Sequence, residues 1–194
     1  MTPLVADFSH WDAAFDPAAL VASGIRAVVL KATQGSNFVD PTFVARVTSA
    51  KAAGLLVGAY HFADDTDPQA QTKLLLQVAG GLPRLALDLE PNGIGNTVTG
   101  QTAAIIASNL QSETKQLPLI YTGRYGPSGT GSEYPNSVLN RCPLWLAEYQ
   151  SVSPQLPSGW ATWTLWQYIG VPDDYDYFNG TAEELVTFFS ATGV

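Results

Sequence analysis

The chain has 194 residues, enough for one well-buried core, and only 13% of them are charged, about half the usual share of roughly 25%. Five Trp and eight Tyr argue against a disordered chain, and a net charge of −8 with scattered Lys and Arg argues against nucleic acid as a partner. One Cys and two His build neither an internal disulfide nor an ordinary zinc site, and no run nears the ~20 apolar residues of a membrane span. No metal, cofactor or membrane partner is therefore expected. The start of the chain has no basic segment followed by an apolar run, so no signal peptide is visible.

Strand-like and helix-like segments alternate. Residues 4–8 form a short apolar strand, and residues 17–23 a helix closed by Gly24. A β-rich run over 27–33 precedes a helix over 41–53, a strand over 56–62 and a helix over 68–79 stopped by Gly80-Gly81. Residues 85–90 (Leu-Ala-Leu-Asp-Leu-Glu) read as a strand, 102–115 as a helix and 119–122 as a strand. Residues 144–149 and 162–168 are strands with no long helix between them, and 182–189 is a last helix. Such alternation implies a mostly parallel sheet with helices outside it. About eight strands in this length predict an α/β, TIM-like (β/α) barrel with fewer than eight helices, as one domain over 1–194. The long Gly-rich loop over 123–136 reads as a functional rim.

Most of the 17 acidic residues have structural readings. Asp16, Asp40 and Asp67 each precede Pro, the pattern of an N-cap followed by Pro in the first turn. Thr181 and Glu184 fit a capping box, Glu113 a solvated helix face, and Asp64 and Asp65 a surface loop. Asp7, Asp88, Glu90, Glu148 and the group Asp173, Asp174, Asp176 remain, at or just past strand ends, where α/β barrels carry their chemistry. Glu148 alternates against Trp145, Ala147 and Tyr149 and is set aside. His10 reads as surface and His61 as a satisfied structural histidine. With no Gly-x-Ser-x-Gly motif there is no nucleophile elbow.

Asp88 and Glu90 are the most informative pair. Alternation puts Ala86, Asp88 and Glu90 on one face and Leu85, Leu87 and Leu89 on the other, so two carboxylates point into the barrel mouth roughly 7 Å apart at the backbone. Like charges so placed push their pKa values apart, which favours one protonated and one ionised carboxyl. Glycoside hydrolysis needs such a pair, an acid for the leaving oxygen and an anion near the developing positive charge. Glu90 is the expected general acid. Spacing alone leaves retention and inversion both open.

These segments resemble glycoside hydrolase family 25, the N-acetylmuramidase lysozymes, over nearly the whole chain. The matching pieces fall in order: Val5-Ala6-Asp7-Phe8-Ser9, Val29-Leu30-Lys31-Ala32-Thr33-Gln34-Gly35, Gly58-Ala59-Tyr60-His61-Phe62 and Leu87-Asp88-Leu89-Glu90. Leu119-Ile120-Tyr121-Thr122, Leu144-Trp145-Leu146-Ala147, Leu165-Trp166-Gln167-Tyr168, and Asp174 ahead of Phe178-Asn179-Gly180 complete them. The resemblance implies a flattened, incomplete barrel that cuts the β-1,4 bond between N-acetylmuramic acid and N-acetylglucosamine in the bacterial cell wall. It implies Glu90 as acid/base and Asp88 as its partner, steering the substrate's N-acetyl group or stabilising positive charge. Asp7 and Asp174 become the other groove carboxylates, and Tyr60, Tyr121, Trp145 and Gln167 the sugar-lining positions. The expected partner is a peptidoglycan glycan strand, bound by a monomer. Two departures stand out: residues 92–99 and the loop after Tyr121 match no family pattern, and no wall-binding module follows the barrel before Val194. A sugar-binding barrel without activity, or a glycosidase acting on another amino-sugar polymer such as chitin, are the competing readings.

Overall fold

A computed structural model describes residues 4–12, 14–93, 95–126, 137–150, 152–171 and 173–191. Residues 127–136 of the Gly-rich loop lie outside the described residues. Among the described residues nine strands form one sheet: β1 (Val5–Phe8), β2 (Ala27–Gln34), β3 (Phe38–Val39), β4 (Leu56–Phe62), β5 (Leu85–Asp88), β6 (Leu119–Gly123), β7 (Leu144–Ala147), β8 (Leu165–Ile169) and β9 (Asp174–Phe178). Five helices accompany them: α1 (Pro17–Ser23), α2 (Phe43–Ala52), α3 (Pro68–Ala79), α4 (Gly100–Thr114) and α5 (Ala182–Ser190). The sheet closes because β1 pairs parallel with β2 and antiparallel with β9, giving an eight-stranded barrel with β3 as an extra strand on β2. The expected TIM-like barrel with fewer than eight helices is what forms.

Strand alternation sorts the apolar side chains into two cores. Ala6, Val28, Leu30, Leu85, Leu87, Leu89, Ile120, Leu144 and Leu146 pack outward beneath the helices. Val5, Ala27, Val29, Ala86, Leu119 and Leu165 fill the barrel itself. Strands buried on both faces read as continuous apolar runs, which is why β2 and β6 were legible. α5 plugs the bottom of the barrel with Leu185 and Phe189. Its start is fixed by the Thr181–Glu184 capping box, and its last turn by Arg84, which donates from Nε (3.2 Å) and Nη2 (2.6 Å) to Phe188 O.

Several local expectations need correction. β5 ends at Asp88, not Glu90; Leu89 N–H still donates to Tyr121 O, and Glu90 lies beyond this last bond to β6. Asp16 and Asp67 cap α1 and α3, but Asp40 is not an N-cap: α2 begins at Phe43. Asp40 is instead buried, accepting from Thr42 N and Oγ1 and from His10 N, with His10 Nδ1 at 2.8 Å. His10 is accordingly half-buried and bonded, not a free surface residue. The Asp-rich segment from 174 forms β9, a strand the sequence reading left out.

His61 is the satisfied histidine expected. Fully buried, it lies 2.7 Å from Thr33 Oγ1 and 2.9 Å from Gln71 Oε1 of α3, and burial lowers its pKa to about 4. A bulge in β2 between Lys31 and Thr33 makes this contact. The extra residue lets Thr33 turn outward to His61 while Lys31 stays at the barrel mouth.

Candidate active site

The C-terminal ends of the parallel strands and the N-terminal end of antiparallel β9 meet at one rim. A cavity of about 280 Å³ opens there, lined by Asp7, Tyr60, Asp88, Glu90, Tyr121, Trp145, Gln167 and Asp174, together with Tyr149 and Gly170. All eight site residues named from the sequence are in this wall, and Tyr149 and Gly170 are additions. Register explains the convergence. Asp88 lies beside Tyr121, Tyr121 beside Trp145, and Asp7 opposite Asp174. Glu148 points elsewhere, accepting from Gln155 N at 2.5 Å.

Gln167 organises one side of the cavity. Its Nε2 donates to Asp7 Oδ2 (2.8 Å), and its Oε1 accepts from the hydroxyls of Tyr121 (2.7 Å) and Tyr149 (2.9 Å). Both Oε1 and Nε2 are thereby engaged, and the ring of Tyr121 is held edge-on to Trp145 with centroids 4.7 Å apart. Burial raises the pKa of both Tyr60 and Tyr121 well above the usual phenol value, so both hydroxyls stay protonated as donors. Alternation places Tyr149 on the face of Trp145, but the sequence reading does not name it as a site residue; it reaches the cavity from just past the end of β7.

The carboxylates are electrostatically crowded. Asp88 is 5% exposed, and its Oδ1 has no hydrogen-bond partner among the described residues. Burial pushes its pKa well up, the Glu90 charge adds to this, and Lys31 opposes it. Burial also raises Glu90, again against Lys31. Lys31, itself 5% exposed, donates from Nζ to Gln34 Oε1 at 2.8 Å and sits 5.0 Å from the Phe62 ring centroid. One cation facing two carboxyls favours a pair that keeps one proton. A solitary Lys amid the apolar β2, inward by alternation with Val29, was the available signal for it.

A second acidic group lies on the other side of the cavity. Asp7 is pushed well above the usual carboxylate range by burial and then by Asp176 and Asp174. Asp174 rises to about 7, through burial and then Asp12 and Glu90. Asp176, fully buried, rises to about 8 through burial. Its Oδ1 accepts from Trp145 Nε1 at 2.5 Å, while Oδ2 meets no donor. The neighbouring Asp7 carboxyl can satisfy that oxygen only if one of the two acids keeps its proton. The site is thus a small acidic cup walled by aromatic rings, with Glu90 the more accessible member of its carboxyl pair.

The profile of the glycosyl hydrolases family 25 matches residues 6–174, most of the chain. Lysozyme M1 of Streptomyces globisporus is 30% identical over 96% of this chain and 71% of its own length. The N,O-diacetylmuramidase of Chalaropsis sp is 30% identical over 83% of this chain and 85% of its own. Among solved structures, a family GH25 lysozyme from Aspergillus fumigatus superposes with a TM-score of 0.83 at 30% identity, covering 98% of this chain and 100% of that one. The bacterial lysozyme from Streptomyces coelicolor gives the same TM-score of 0.83 at 28% identity, over 97% of this chain and 98% of that one. On the extent of the profile match and of these likenesses, the chain belongs to glycosyl hydrolases family 25.

Proposed function

We propose that this protein is a peptidoglycan muramidase, cutting the β-1,4 bond between N-acetylmuramic acid and N-acetylglucosamine. The observation that carries the reading is the Asp88–Glu90 pair at the mouth of a family 25 barrel, facing an aromatic-walled acidic cup. The lysozyme and muramidase names of its relatives favour this substrate over chitin. One barrel holds the complete residue set, so a single copy acting at the bacterial wall suffices.

In this reading Glu90 protonates the glycosidic oxygen as the bond to the anomeric carbon breaks. The substrate's own acetamide oxygen attacks that carbon, giving a cyclic oxazolinium, so the outcome is retention. Asp88 accepts the acetamide N–H and steadies the positive charge. Its unpartnered Oδ1 is suited to that bond. The more deeply buried Asp88 competes for the pair's proton. A donor arriving at Asp88 favours its ionised form and leaves the proton on Glu90. Glu90, now a carboxylate, then takes a proton from the water that opens the ring. Asp7, Asp174, Tyr60, Tyr121, Trp145 and Gln167 line the sugar site around this centre.

Glu90→Gln tests the core of it. The variant is expected to keep its fold and lose roughly 10²–10⁴-fold in the rate of clearing purified wall, the usual share of general acid catalysis. A folded Glu90→Gln protein with near wild-type lysis would remove the proposal. Faster release of reducing ends from chitin than from wall would replace muramidase with chitinase. NMR detection of the inverted product anomer would remove the acetamide route.

A further inference from the structure

Immediately after Asp7 the chain makes a turn on the barrel rim that is held more firmly than an exposed loop requires. Ser9 N donates to Asp12 Oδ2 (2.6 Å) and Asp12 N to Ser9 O (3.0 Å), which closes the turn. Arg46 of α2, 8% exposed, grips both ends, donating to Ser9 O (2.5 Å) and Asp12 O (2.6 Å). Asp40, 2% exposed, accepts from His10 N at 2.9 Å. What this clamped turn presents is Trp11, 82% exposed, the highest value for a large apolar side chain among the described residues.

Leaving an indole in water forgoes the gain of burying it, so a rigid turn that holds one outward is a feature to be explained. The Trp11 ring lies 4.7 Å from the His10 ring, which in turn lies 5.2 Å from Phe38. These three, with Gln34, Asn37 and Asn92, line a hollow of about 450 Å³. Aromatic faces fringed by amides suit a pyranose ring, whose C–H faces are apolar and whose hydroxyl and acetamide edges bond to amides. Among the described residues the hollow's wall holds no Lys or Arg that would favour an anion, and it includes the carboxyl of Asp64.

The hollow adjoins the catalytic cavity. The Ser9 side chain lies beside the Tyr60 hydroxyl of the cavity wall, and its Oγ accepts from Trp11 N at 3.2 Å. Lys31, which acts on Asp88 and Glu90, is bonded to Gln34 in the hollow's wall. We propose that the hollow is a further sugar subsite, in which Trp11 stacks on an N-acetylhexosamine ring of the same glycan strand that is cut at Glu90. This rests on the glycan-cleaving reading above and extends it to a ring beyond the cleavage point.

The test compares ligand lengths. In a Glu90→Gln background, calorimetry would measure binding of peptide-free muramyl glycan disaccharide and hexasaccharide, with and without Trp11→Ala. Covering roughly 50 Å² of apolar ring face is worth about tenfold in affinity. Trp11→Ala should therefore lower the ratio of hexasaccharide to disaccharide affinity about tenfold, and Trp11→Tyr should restore most of it. An unchanged ratio would overturn the subsite, as would a failure of Trp11→Tyr to rescue. Should the wild-type protein leave muramyl glycan uncut, the proposed function is lost. The same comparison with the N-acetylglucosamine hexasaccharide then decides the subsite by itself.

Discussion

Asp176→Asn should make the protein more stable in alkali and leave it unchanged in acid. Asp176 is fully buried beneath the site, and burial lifts its carboxyl from 3.8 to about 8. Below pH about 4 the carboxyl is protonated in both folded and unfolded chains and costs nothing. Between about 4 and 8 the unfolded chain releases the proton and the folded one keeps it. The unfolded state therefore gains about 1.4 kcal/mol per pH unit, and stability falls as pH rises. Four units set a ceiling of roughly 6 kcal/mol above pH 8, reduced because Asp7 shares the proton, so about 3 kcal/mol is expected. An Asn side chain keeps the acceptor for Trp145 Nε1 and offers an N–H to Asp7 with no proton needed. Urea unfolding of wild type and Asp176→Asn at pH 4 and pH 9 measures the difference directly. A gap between the two proteins that does not change with pH would refute the reasoning.

Asp88→Asn should move the basic limb of the pH–rate profile down by about one unit, because it removes the charge that helps the pair hold its last proton; the profile of wall lysis against pH checks it. Gly58→Ala tests the plug at the barrel floor. An added Cβ would sit 3.1 Å from Phe189 Cε1 and 3.2 Å from Arg84 O, and the backbone oxygen cannot yield. Destabilisation of roughly 1–3 kcal/mol by denaturant unfolding is expected, with the lytic rate of the folded fraction preserved.

The alternating signals along the chain were enough for the barrel and for its central carboxylates. Strand residues point to alternate faces wherever a ladder is regular, so Asp7 and Asp88 could be aimed inward from their neighbours alone, whereas Tyr60, Tyr121, Trp145 and Gln167 were named through the resemblance to family 25. Asp16 and Asp67 were legible as caps because capping is a contact between residues two or three apart. Asp40 resembled them locally and does bond Thr42 two residues on, but its other partner, His10, is 30 positions away, and that contact exists only once β1 and β2 are side by side.

Tertiary structure alone decided what depends on pairing between distant segments. β9 looked like an acidic loop until closure of the barrel placed it against β1, which set Asp174 opposite Asp7 and buried Asp176 behind them. Lys31 is an isolated charge in an apolar strand until folding brings it into the field of Asp88 and Glu90. Trp11 reads as one more aromatic residue in a chain rich in them. Only the clamp from Arg46 and Asp40 shows that it is held outward, because exposure is set by what the rest of the fold leaves uncovered.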